Sequence, residues 1–334
     1  MKIKRLVIEN FKSIERIELI EPNPFTVFVG PNGSGKSNIF EALEFAEIYD
    51  QIPSIAVSLF GGIEALQKRN GLGEVFQLHI DFQTSKENTL PYEVVFNFDT
   101  YKQEKESKIN DSSEDQIEVW IPSSQWENSE FQQFHERYSR LFIKNDRLVK
   151  LPLDDNKRLS LSAKNLEKVL KRLLSDNALK IELFEWLELF VPSFKNVEVD
   201  YRNELHWFEE FMPSYFTKDL ISDGTYNILA ILTAIYQSDE PQFLCIEEPE
   251  NGLNPKVVKE LVNLCRYACE EFGHYIWLNT HSQTLVAQLT PDEIILVDKN
   301  EGATQTKQIK GMNLHDLPMD EAWLSNALGG GLPW

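Results

Sequence analysis

The sequence predicts an α/β fold in which a largely parallel β-sheet is covered by helices. Two parts of the chain support this prediction: residues 1–80 read as strands, a loop and a helix, and residues 224–309 alternate helices with short apolar strands. Strands that alternate with helices along a chain are typical of parallel sheets flanked by helices. The chain has 334 residues, 42% of them hydrophobic and seven of them tryptophan, which is enough to build a substantial core.

The elements of the N-terminal part follow from the hydrophobic pattern. Residues 14–20 alternate apolar with charged side chains, as half-buried antiparallel strands do, and residues 3–8 alternate partly. After two prolines, residues 25–29 form a short apolar run that is typical of a buried strand. Residues 38–49 carry apolar side chains at helical spacing and are predicted to form a helix.

The middle of the chain has a different composition. Residues 100–125 are rich in polar and charged side chains, whereas residues 162–174 carry the apolar face of a predicted helix, with Ser162 as its candidate cap. A second helix is predicted to end before Pro192, because the residue that precedes a proline disfavours helical geometry.

The last third of the chain returns to alternating helices and strands. Residues 242–246 form an apolar run that ends in two glutamates, and residues 275–278 form a second apolar run. Helices are predicted at residues 224–236 and 256–272, and a hairpin is predicted within residues 291–309. This order supports the largely parallel sheet.

Composition and charge exclude several classes of protein. The apolar and aromatic content excludes a disordered tail protein, and no run of about 18 apolar residues exists that could span a membrane. The first dozen residues carry charges throughout and lack the apolar core of a signal peptide. The three cysteines are too few for a disulfide framework. We therefore expect a cytoplasmic protein that acts without contact with a membrane.

The clearest chemical motif is a phosphate-binding loop. Residues 30–37 read G-P-N-G-S-G-K-S and satisfy the pattern G-x-x-x-x-G-K-[ST] in full, between a predicted strand and a predicted helix. Glycines allow the backbone to curl so that successive N–H groups surround phosphate oxygens, and the following helix adds its positive end. Lys36 is suited to contact the β- and γ-phosphates, and the Ser37 hydroxyl is suited to bind Mg²⁺. The predicted nucleotide-binding residues of this segment are Gly30, Pro31, Asn32, Gly33, Ser34, Gly35, Lys36, Ser37 and Asn38.

Two adjacent carboxylates follow the apolar run in the last third of the chain. At the carboxyl end of a parallel strand, such side chains lie where Mg²⁺ and an attacking water are held beside a phosphate loop. We assign Glu247 to the shell of the Mg²⁺ ion and Glu248 to the polarisation of the water. The strand considered alone leaves an alternative open, which is that it simply ends in two solvated acids.

Taken together and in this order, the motifs resemble those of a known family. The phosphate loop is followed by I-S-D-G-T at residues 221–225, by F-L-C-I-E-E-P-E-N-G-L-N-P at residues 243–255 and by N-T-H-S at residues 279–282. With the opening segment at residues 8–14, they resemble the ABC-type ATPase heads of the SMC/RecF group. The ending at residues 323–330 resembles, more narrowly, the RecF-like AAA-type ATPases often encoded in prokaryotic defence loci.

The resemblance implies a fold and a division of the chain. The implied fold is an ABC-type P-loop ATPase head with a mixed β-sheet flanked by helices. Because the likeness is concentrated at the two ends of the chain, residues 1–83 and 201–334 are expected to form the head. Residues 84–200 are expected to form a mostly helical and polar insertion.

The resemblance also implies that two heads enclose two ATP molecules between them, as a homodimer. Ser222, Asp223 and Gly224 lie in the signature loop, which in that family caps the γ-phosphate held by the other protomer. His281 matches the residue that contacts the γ-phosphate, and residues 251–255 match the loop that lines the seam. The implied cofactors are ATP and Mg²⁺. The catalytic residues are then Lys36, Glu248 and His281, and the metal-binding residues are Ser37 and Glu247.

Departures from the family pattern affect the expected chemistry. Asp223 stands where the signature usually has glycine, which puts a carboxylate near a phosphate-binding surface. Its charge either weakens closure by repulsion, or the side chain faces away and pairs with a basic group. Glu247 stands where aspartate is usual, and adds one methylene to the shell of the metal. No convincing glutamine loop is present, and Gln77 and Gln83 are candidates for its glutamine. We therefore expect slow turnover.

A basic stretch at residues 137–180 indicates nucleic acid as a further partner. It begins at Arg137, ends at Lys180 and contains twelve basic and five acidic residues, in a chain whose net charge is −20. Held above a closing dimer, such a strip would neutralise the phosphates of a nucleic acid without reading its bases. The alternatives are a solvated helical face and a surface complementary to the acidic remainder of the chain.

The sequence therefore predicts a Mg²⁺-dependent ATPase that acts as a dimerisation switch in a nucleic-acid-processing or anti-phage defence assembly, together with an effector protein encoded nearby. Two other functions stay open. The same chemistry would serve the ATP-binding subunit of a membrane transporter. A scaffold that uses ATP as a clamp for a toxin or nuclease partner is compatible with the substitution at Asp223.

Overall fold

The computed structural model of the chain divides into two units. Met1–Tyr138 and Thr290–Trp334 form the first unit, and Ser139–Leu289 forms the second. The structure describes residues 2–67, 75–84, 88–99, 137–143 and 156–332. Within these ranges, no helix is both long enough and apolar enough to cross a membrane. The predicted α/β class, with mixed pairing of strands and flanking helices, is confirmed.

An antiparallel sheet of four strands opens the first unit. Its strands are β1 (Lys2–Phe11), β2 (Ile14–Ile20), β4 (Val75–Gln83) and β5 (Thr89–Asn97), in the order β2-β1-β4-β5. Alternate side chains of β4 are buried, as expected when one face of a sheet packs on a core. Strand β2 has the predicted bounds. The hairpin of β4 and β5 was not predicted.

The phosphate loop of the same unit lies between β3 (Phe25–Val29) and α1 (Lys36–Gln51). The strand has the predicted bounds, and the helix extends two residues beyond its prediction at each end. Strand β3 pairs in parallel with β11 (Ile294–Asn300), which pairs antiparallel with β12 (Ala303–Gln308). The predicted C-terminal hairpin is thus confirmed, with a two-residue turn of positive φ that suits the twist of its strands.

Aromatic packing fixes α1 on the antiparallel sheet. The ring of Phe45, on α1, lies 5.9 Å from the ring of Phe11, 5.4 Å from that of Phe76 and 5.7 Å from that of Phe96, between centroids. Such aromatic contacts add to the burial of large apolar areas. Among the described residues of the unit, the other helices are α2 (Pro53–Leu59), α3 (Ile63–Leu66), a 3-10 turn (Pro291–Glu293) and α9 (Met319–Leu324).

A parallel pair of buried strands is central to the second unit. Strands β9 (Phe243–Glu247) and β10 (Tyr275–Thr280) are connected by α7 (Pro255–Glu271), and every residue of both strands is buried. Helix α6 (Asp223–Tyr236) precedes them, and β6 (Tyr138–Leu141) lies beside β9 in the sheet. These helices and strands were all predicted except β6, with bounds that differ by at most two residues.

The described part of the second unit also contains two helices, a hairpin and one short helix after β10. They are α4 (Leu166–Leu174), α5 (Asn177–Phe190), β7 (Phe194–Val199), β8 (Leu205–Glu209) and α8 (Gln283–Val286). The predicted cap at Ser162 is wrong, because α4 begins after Asn165. The Asn165 side chain accepts a hydrogen bond from the Ser160 N–H and so fixes the preceding turn. Helix α5 ends before Pro192, as predicted.

The predicted division of the chain at residues 83/84 and 200/201 stays a prediction. Strand β5 lies beyond the first of these boundaries, yet it pairs along its length with β4. Helices α4 and α5 give the later part of the middle segment the helical character that was expected. Residues 100–136 and 144–155 of that segment lie outside the described residues.

Burial of His274 in the second unit generates a pH dependence of stability. Its Nδ1 accepts a hydrogen bond from the Gln242 backbone N–H at 3.3 Å, and its Nε2 lies 3.1 Å from the Ile235 carbonyl oxygen. These contacts fit a neutral ring with the proton on Nε2. Burial lowers the pKa of His274 from 6.5 to about 4. The stability that the neutral ring contributes is therefore complete above pH 6.5 and is lost as pH falls towards 4.

We expect the difference in unfolding free energy between the wild type and the variant His274→Gln to shrink as pH falls through this window. The wild type loses up to about 1.4 kcal/mol per pH unit to protonation of the unfolded chain, and the variant lacks this loss. Urea unfolding of both proteins between pH 4 and pH 8 measures the difference. A difference that stays constant with pH would contradict the assignment.

Candidate functional site

The predicted phosphate loop forms a curled turn in the first unit. Gly33 and Gly35 have φ of 80° and 103°, which is backbone geometry that favours glycine. Gly30 is required for another reason, because a Cβ at this position would lie 2.0 Å from the Val297 carbonyl oxygen. Helix α1 begins at Lys36, so that the loop ends at the positive end of this helix.

Polar groups of the loop fit an anionic ligand. The Lys36 side chain is buried, and its Nζ donates to the carbonyl oxygens of Gly30 at 2.8 Å and Pro31 at 2.9 Å. The Ser34 hydroxyl is buried and has no hydrogen-bond partner in the described part of the chain. Ser37 follows in the first turn of α1 and supplies a hydroxyl of the kind that binds Mg²⁺ in such loops. The loop therefore fits a triphosphate with its metal.

A chain of hydroxyl and amide groups supports the loop from behind. The Thr304 hydroxyl, fully buried on β12, donates to the Ser34 carbonyl oxygen at 2.9 Å and lies 2.6 Å from the Ser13 hydroxyl. The Asn38 amide donates to the same Ser13 oxygen at 2.7 Å. Gly35 leaves room for this contact, because a Cβ there would lie 2.0 Å from the Thr304 hydroxyl oxygen. The Asn38 side chain, assigned to the nucleotide site from the sequence, is thus placed in this support.

In the second unit, Glu247 at the end of β9 is buried and paired. Its Oε1 accepts hydrogen bonds from Nε of Arg140, at 2.6 Å, and from Nη2 of the same guanidinium. Its Oε2 accepts a hydrogen bond from the Asn279 amide at 3.3 Å. The side chains of Arg140 and Glu247 are 1% and 2% exposed. Such partners are needed, since an unpaired charge in a protein interior is costly.

Glu248 turns towards solvent directly after β9. Its φ is 46°, and its backbone N–H is held by the Asn279 side-chain oxygen at 3.0 Å. Its Oε1 lies 3.4 Å from Nδ1 of His281, and its Oε2 accepts a hydrogen bond from the Asn251 amide at 3.0 Å. The side chains of Glu248 and His281 are 29% and 40% exposed, so water has access to both. The structure therefore brings together two residues that the sequence assigned to the same chemistry.

A buried hydrogen bond fixes the segment that carries His281. The Thr280 hydroxyl donates to the buried Glu250 carboxylate and accepts a hydrogen bond from the Ser282 N–H at 2.9 Å. His281 lies between these two anchored residues, which restricts where its ring can point.

The signature loop forms the exposed start of α6. The Ser222 hydroxyl oxygen caps this helix by accepting a hydrogen bond from the Thr225 N–H at 3.0 Å. Ser222 and Asp223 are both exposed. Asp223 occupies the first turn of α6, where a carboxylate interacts favourably with the helix dipole.

Close backbone packing holds the signature loop against residues 251–255. A Cβ on Gly224 would lie 2.5 Å from the Gly252 carbonyl oxygen, so that a larger residue at Gly224 would force the two segments apart. The Asn227 amide adds a hydrogen bond to the Asn251 carbonyl oxygen at 2.6 Å. The two loops of the family pattern are therefore joined within the second unit.

The predicted basic strip at residues 137–180 requires a correction. Arg140 does not fit the prediction that this strip contacts nucleic acid, because its guanidinium is buried and already neutralised by Glu247. Arg172 donates to three backbone carbonyl oxygens and thus has a structural role. Lys144, Arg147 and Lys150 lie outside the described residues.

Sequence reasoning missed the residues that hold the predicted ones in place. Arg140 is 107 residues from Glu247, and Thr304 is 270 residues from Ser34, so no local motif relates them. Asn279 lies inside a motif used for the resemblance, so a signal for this residue existed. The candidate glutamines, Gln77 and Gln83, both lie on β4, and their role stays a prediction.

The model of one protein family matches most of the chain. A profile of the AAA_21 family, described as "AAA domain, putative AbiEii toxin, Type IV TA system", matches residues 25–287. This match covers more than half of the chain.

Curated relatives match short segments. The chromosome partition protein Smc of Methanocaldococcus jannaschii is 38% identical over 61 residues, which are 18% of this chain and 5% of that protein. Structural maintenance of chromosomes protein 1 of Arabidopsis thaliana is 51% identical over 45 residues, 13% of this chain and 4% of that protein. The energy-coupling factor transporter ATP-binding protein EcfA of Methanoculleus marisnigri is 40% identical over 60 residues, 18% of this chain and 21% of that protein. The matched part of the chain thus spans a small fraction of the length of these relatives.

Solved structures share the fold over nearly the whole chain. An SmcHead bound to the C-winged helix domain of ScpA has a TM-score of 0.58 at 14% identity, and the match covers 95% of this chain and 100% of that one. An Smc head domain with a coiled coil and joint, derived from Pyrococcus yayanosii, has a TM-score of 0.57 at 12% identity, with coverages of 98% and 99%. The predicted ABC-type P-loop ATPase fold is confirmed.

Thr304→Val tests the support of the phosphate loop. Valine has a similar size but lacks the hydroxyl, so the Ser34 carbonyl oxygen and the Ser13 hydroxyl each lose a partner. Loss of one buried hydrogen bond costs about 1.4 kcal/mol. A loss of this size in binding free energy would weaken nucleotide binding about tenfold. Equilibrium titration with a fluorescent ATP analogue measures the affinity.

Thr304→Ser is the matched control, because it keeps the hydroxyl and removes only a methyl group. We expect it to bind nucleotide almost as tightly as the wild type. An equal loss of affinity in both variants would assign the effect to packing, and no loss in Thr304→Val would contradict the role of the hydroxyl.

Proposed function

We propose that this chain, which belongs to the AAA_21 family of AAA domains, is a Mg²⁺-dependent ATP hydrolase that acts as an ATP-driven dimerisation switch in a nucleic-acid-processing or antiviral defence assembly. Family membership and the SMC-type head fold support an ATPase. The observation that carries the proposal is the contact of Glu248 with His281, at 3.4 Å, beyond the ends of two parallel strands. A solvated carboxylate next to an imidazole suits the activation of water.

The loop of the first unit is proposed to bind the triphosphate of ATP. Its backbone N–H groups and the start of α1 surround the phosphate oxygens, and Lys36 exchanges the carbonyl oxygens of Gly30 and Pro31 for phosphate. Ser37 is proposed as a ligand of Mg²⁺. A Mg²⁺ ion held there would supply positive charge for the phosphate oxygens.

The residues after β9 and β10 are proposed to act on the attacking water and the transferred group. Glu248 orients the water and accepts its proton, for which its partial exposure and its hydrogen bond to Asn251 prepare it. His281 donates to the γ-phosphoryl oxygens as their charge develops. We propose that Glu247 belongs to the shell of residues around the metal ion. Its burial separates this role from that of Glu248.

A second protomer is proposed to complete the site. Ser222 and the N–H groups at the start of α6 would cap the γ-phosphate held by the partner head, because an exposed helix start suits an anion. The close packing of Gly224 on Gly252 gives this surface a fixed shape. Asp223 adds a negative charge beside it, and repulsion of the phosphate supports slow closure and slow turnover.

The family description supports the defence role, since it refers to a toxin of a type IV toxin–antitoxin system. We propose that opening and closing of the heads controls an effector protein. The likeness to EcfA covers 18% of the chain and supports shared ATP chemistry more than a role in transport. A scaffold clamped by ATP differs from the proposed switch in one measurable respect, because it would bind ATP without releasing phosphate.

Glu248→Gln tests the catalytic assignment. The amide keeps the size of the side chain but cannot accept a proton, so we expect phosphate release to fall at least about 100-fold while ATP binding is unchanged. Phosphate-release kinetics and equilibrium binding of labelled ATP measure the two effects. Lys36→Ala is the contrasting variant and should lose binding itself. Hydrolysis by Glu248→Gln at the wild-type rate would remove Glu248 from its role.

The same variant tests the dimer. Bound to Mg²⁺ and ATP that it cannot cleave, Glu248→Gln should accumulate as a dimer in sedimentation velocity experiments, and should be monomeric with ADP. Ser222→Glu adds a negative charge to the capping surface and should prevent the dimer without loss of ATP binding. A monomer at high concentration under saturating ATP would exclude the dimerisation switch.

A further inference from the structure

The Arg140–Glu247 pair links two strands of the second unit. Arg140 lies on β6, which is the neighbour of β9 in the sheet, and Glu247 is the last residue of β9. The guanidinium donates through both Nε and Nη2 to a single carboxylate oxygen, Oε1. Asn279 on β10 holds the other oxygen. The carboxylate is therefore anchored by the strands on both sides of its own.

This pair accounts for the presence of glutamate at position 247. The guanidinium contacts the carboxylate at 2.6 Å through Nε. An aspartate at this position would end one methylene short of Arg140. The longer side chain thus brings the carboxylate one methylene closer to Arg140.

We propose that Arg140 is a positioning residue that competes with the divalent cation for the Glu247 carboxylate and thereby sets the affinity of the protein for metal. The inference deepens the proposed function and rests on its assignment of Glu247 to the side of the metal. A carboxylate oxygen is a ligand that Mg²⁺ favours, but this carboxylate shares its charge with a guanidinium in direct contact. Because Oε1 already accepts two hydrogen bonds from the guanidinium, a metal ion can use this oxygen only by displacing Arg140.

Removal of the guanidinium charge should therefore strengthen metal binding. Loss of an outer partner weakens metal sites when it leaves a ligand free to turn. Here Asn279 and the complete burial of the side chain still restrict Glu247, so the change in charge dominates. An increase in metal affinity on removal of Arg140 would indicate competition, whereas a decrease would indicate a purely structural role.

The experiment is a double-mutant cycle of Arg140→Gln, Glu247→Gln and both together, in the full chain. The readout is Mn²⁺ affinity in the presence of ADP, measured by electron paramagnetic resonance, so that no turnover is required. We expect Arg140→Gln to bind Mn²⁺ on the order of tenfold more tightly and Glu247→Gln on the order of tenfold more weakly. The double variant should match Glu247→Gln, because the proposed competition requires that carboxylate.

Thermal unfolding without nucleotide and metal provides a second readout. Each single variant removes one charge of the buried ion pair and should unfold at a lower temperature, whereas the double variant removes both charges and should recover part of the loss. If Arg140→Gln does not fold, Glu247→Asp replaces it, since this variant keeps the charge and withdraws it from Arg140. It too should bind Mn²⁺ more tightly. Arg140→Lys keeps the cation and should bind Mn²⁺ as the wild type does.

Failure of the inference and failure of the proposed function give different results. If Glu247→Gln weakens Mn²⁺ binding but Arg140→Gln leaves it unchanged or weakens it, the ATPase assignment stands and competition by Arg140 is wrong. A gain of affinity from Arg140→Gln that persists in the double variant would also overturn the inference. If the wild type binds neither ADP nor Mn²⁺ with ADP, the proposed function itself fails.

Discussion

The register of two parallel strands determines which chemistry the second unit offers. Strands β9 and β10 pair so that Glu247 lies opposite Asn279, and β9 ends there. Because successive side chains of a strand point to opposite faces, and because the backbone of Glu248 turns with a φ of 46°, the two glutamates have different surroundings. Glu247 lies inside against Arg140, and Glu248 lies outside beside His281. Two identical and adjacent residues thereby have surroundings that differ in the way their two proposed roles require, one towards a metal and one towards water.

A buried ion pair is an unusual support for such a site. Removal of two charges from water offsets most of their attraction, so that the pair adds little net stability, whereas loss of one partner costs about 3–5 kcal/mol. The pair of Arg140 and Glu247 is therefore better explained by the precise placement of a carboxylate at a strand end than by stability. The phosphate loop of the first unit is supported differently, by neutral hydroxyl groups of Thr304 and Ser13. These groups hold the backbone without adding charge next to a site proposed for an anion.

Much of the fold follows from local patterns. Residues 14–20 and 25–29 form strands with the predicted bounds, because alternation and a continuous apolar run each report directly on which faces are buried. Strand β4 alternates just as regularly, with buried residues at every second position, so its sequence V-F-Q-L-H-I-D-F-Q carries the same signal although β4 was not among the predicted strands. The cap at Ser162 failed for a different reason. Asn165, closer to the helix, competes for the turn through its own side chain.

The sequence by itself determined the phosphate loop, the paired glutamates and the order of motifs that predicted an ABC-type head. Each of these is a short segment whose chemistry depends on the identity of consecutive residues, and glycine geometry or a strand end is encoded within it. Only the tertiary structure decided which distant residues hold these segments in place. Arg140 reaches Glu247 across 107 residues and Thr304 reaches Ser34 across 270 residues, through pairing of distant strands. The charge of Arg140, which the sequence places in an exposed basic strip, is therefore buried in the fold. Burial of a side chain depends on neighbours that come from distant parts of the chain.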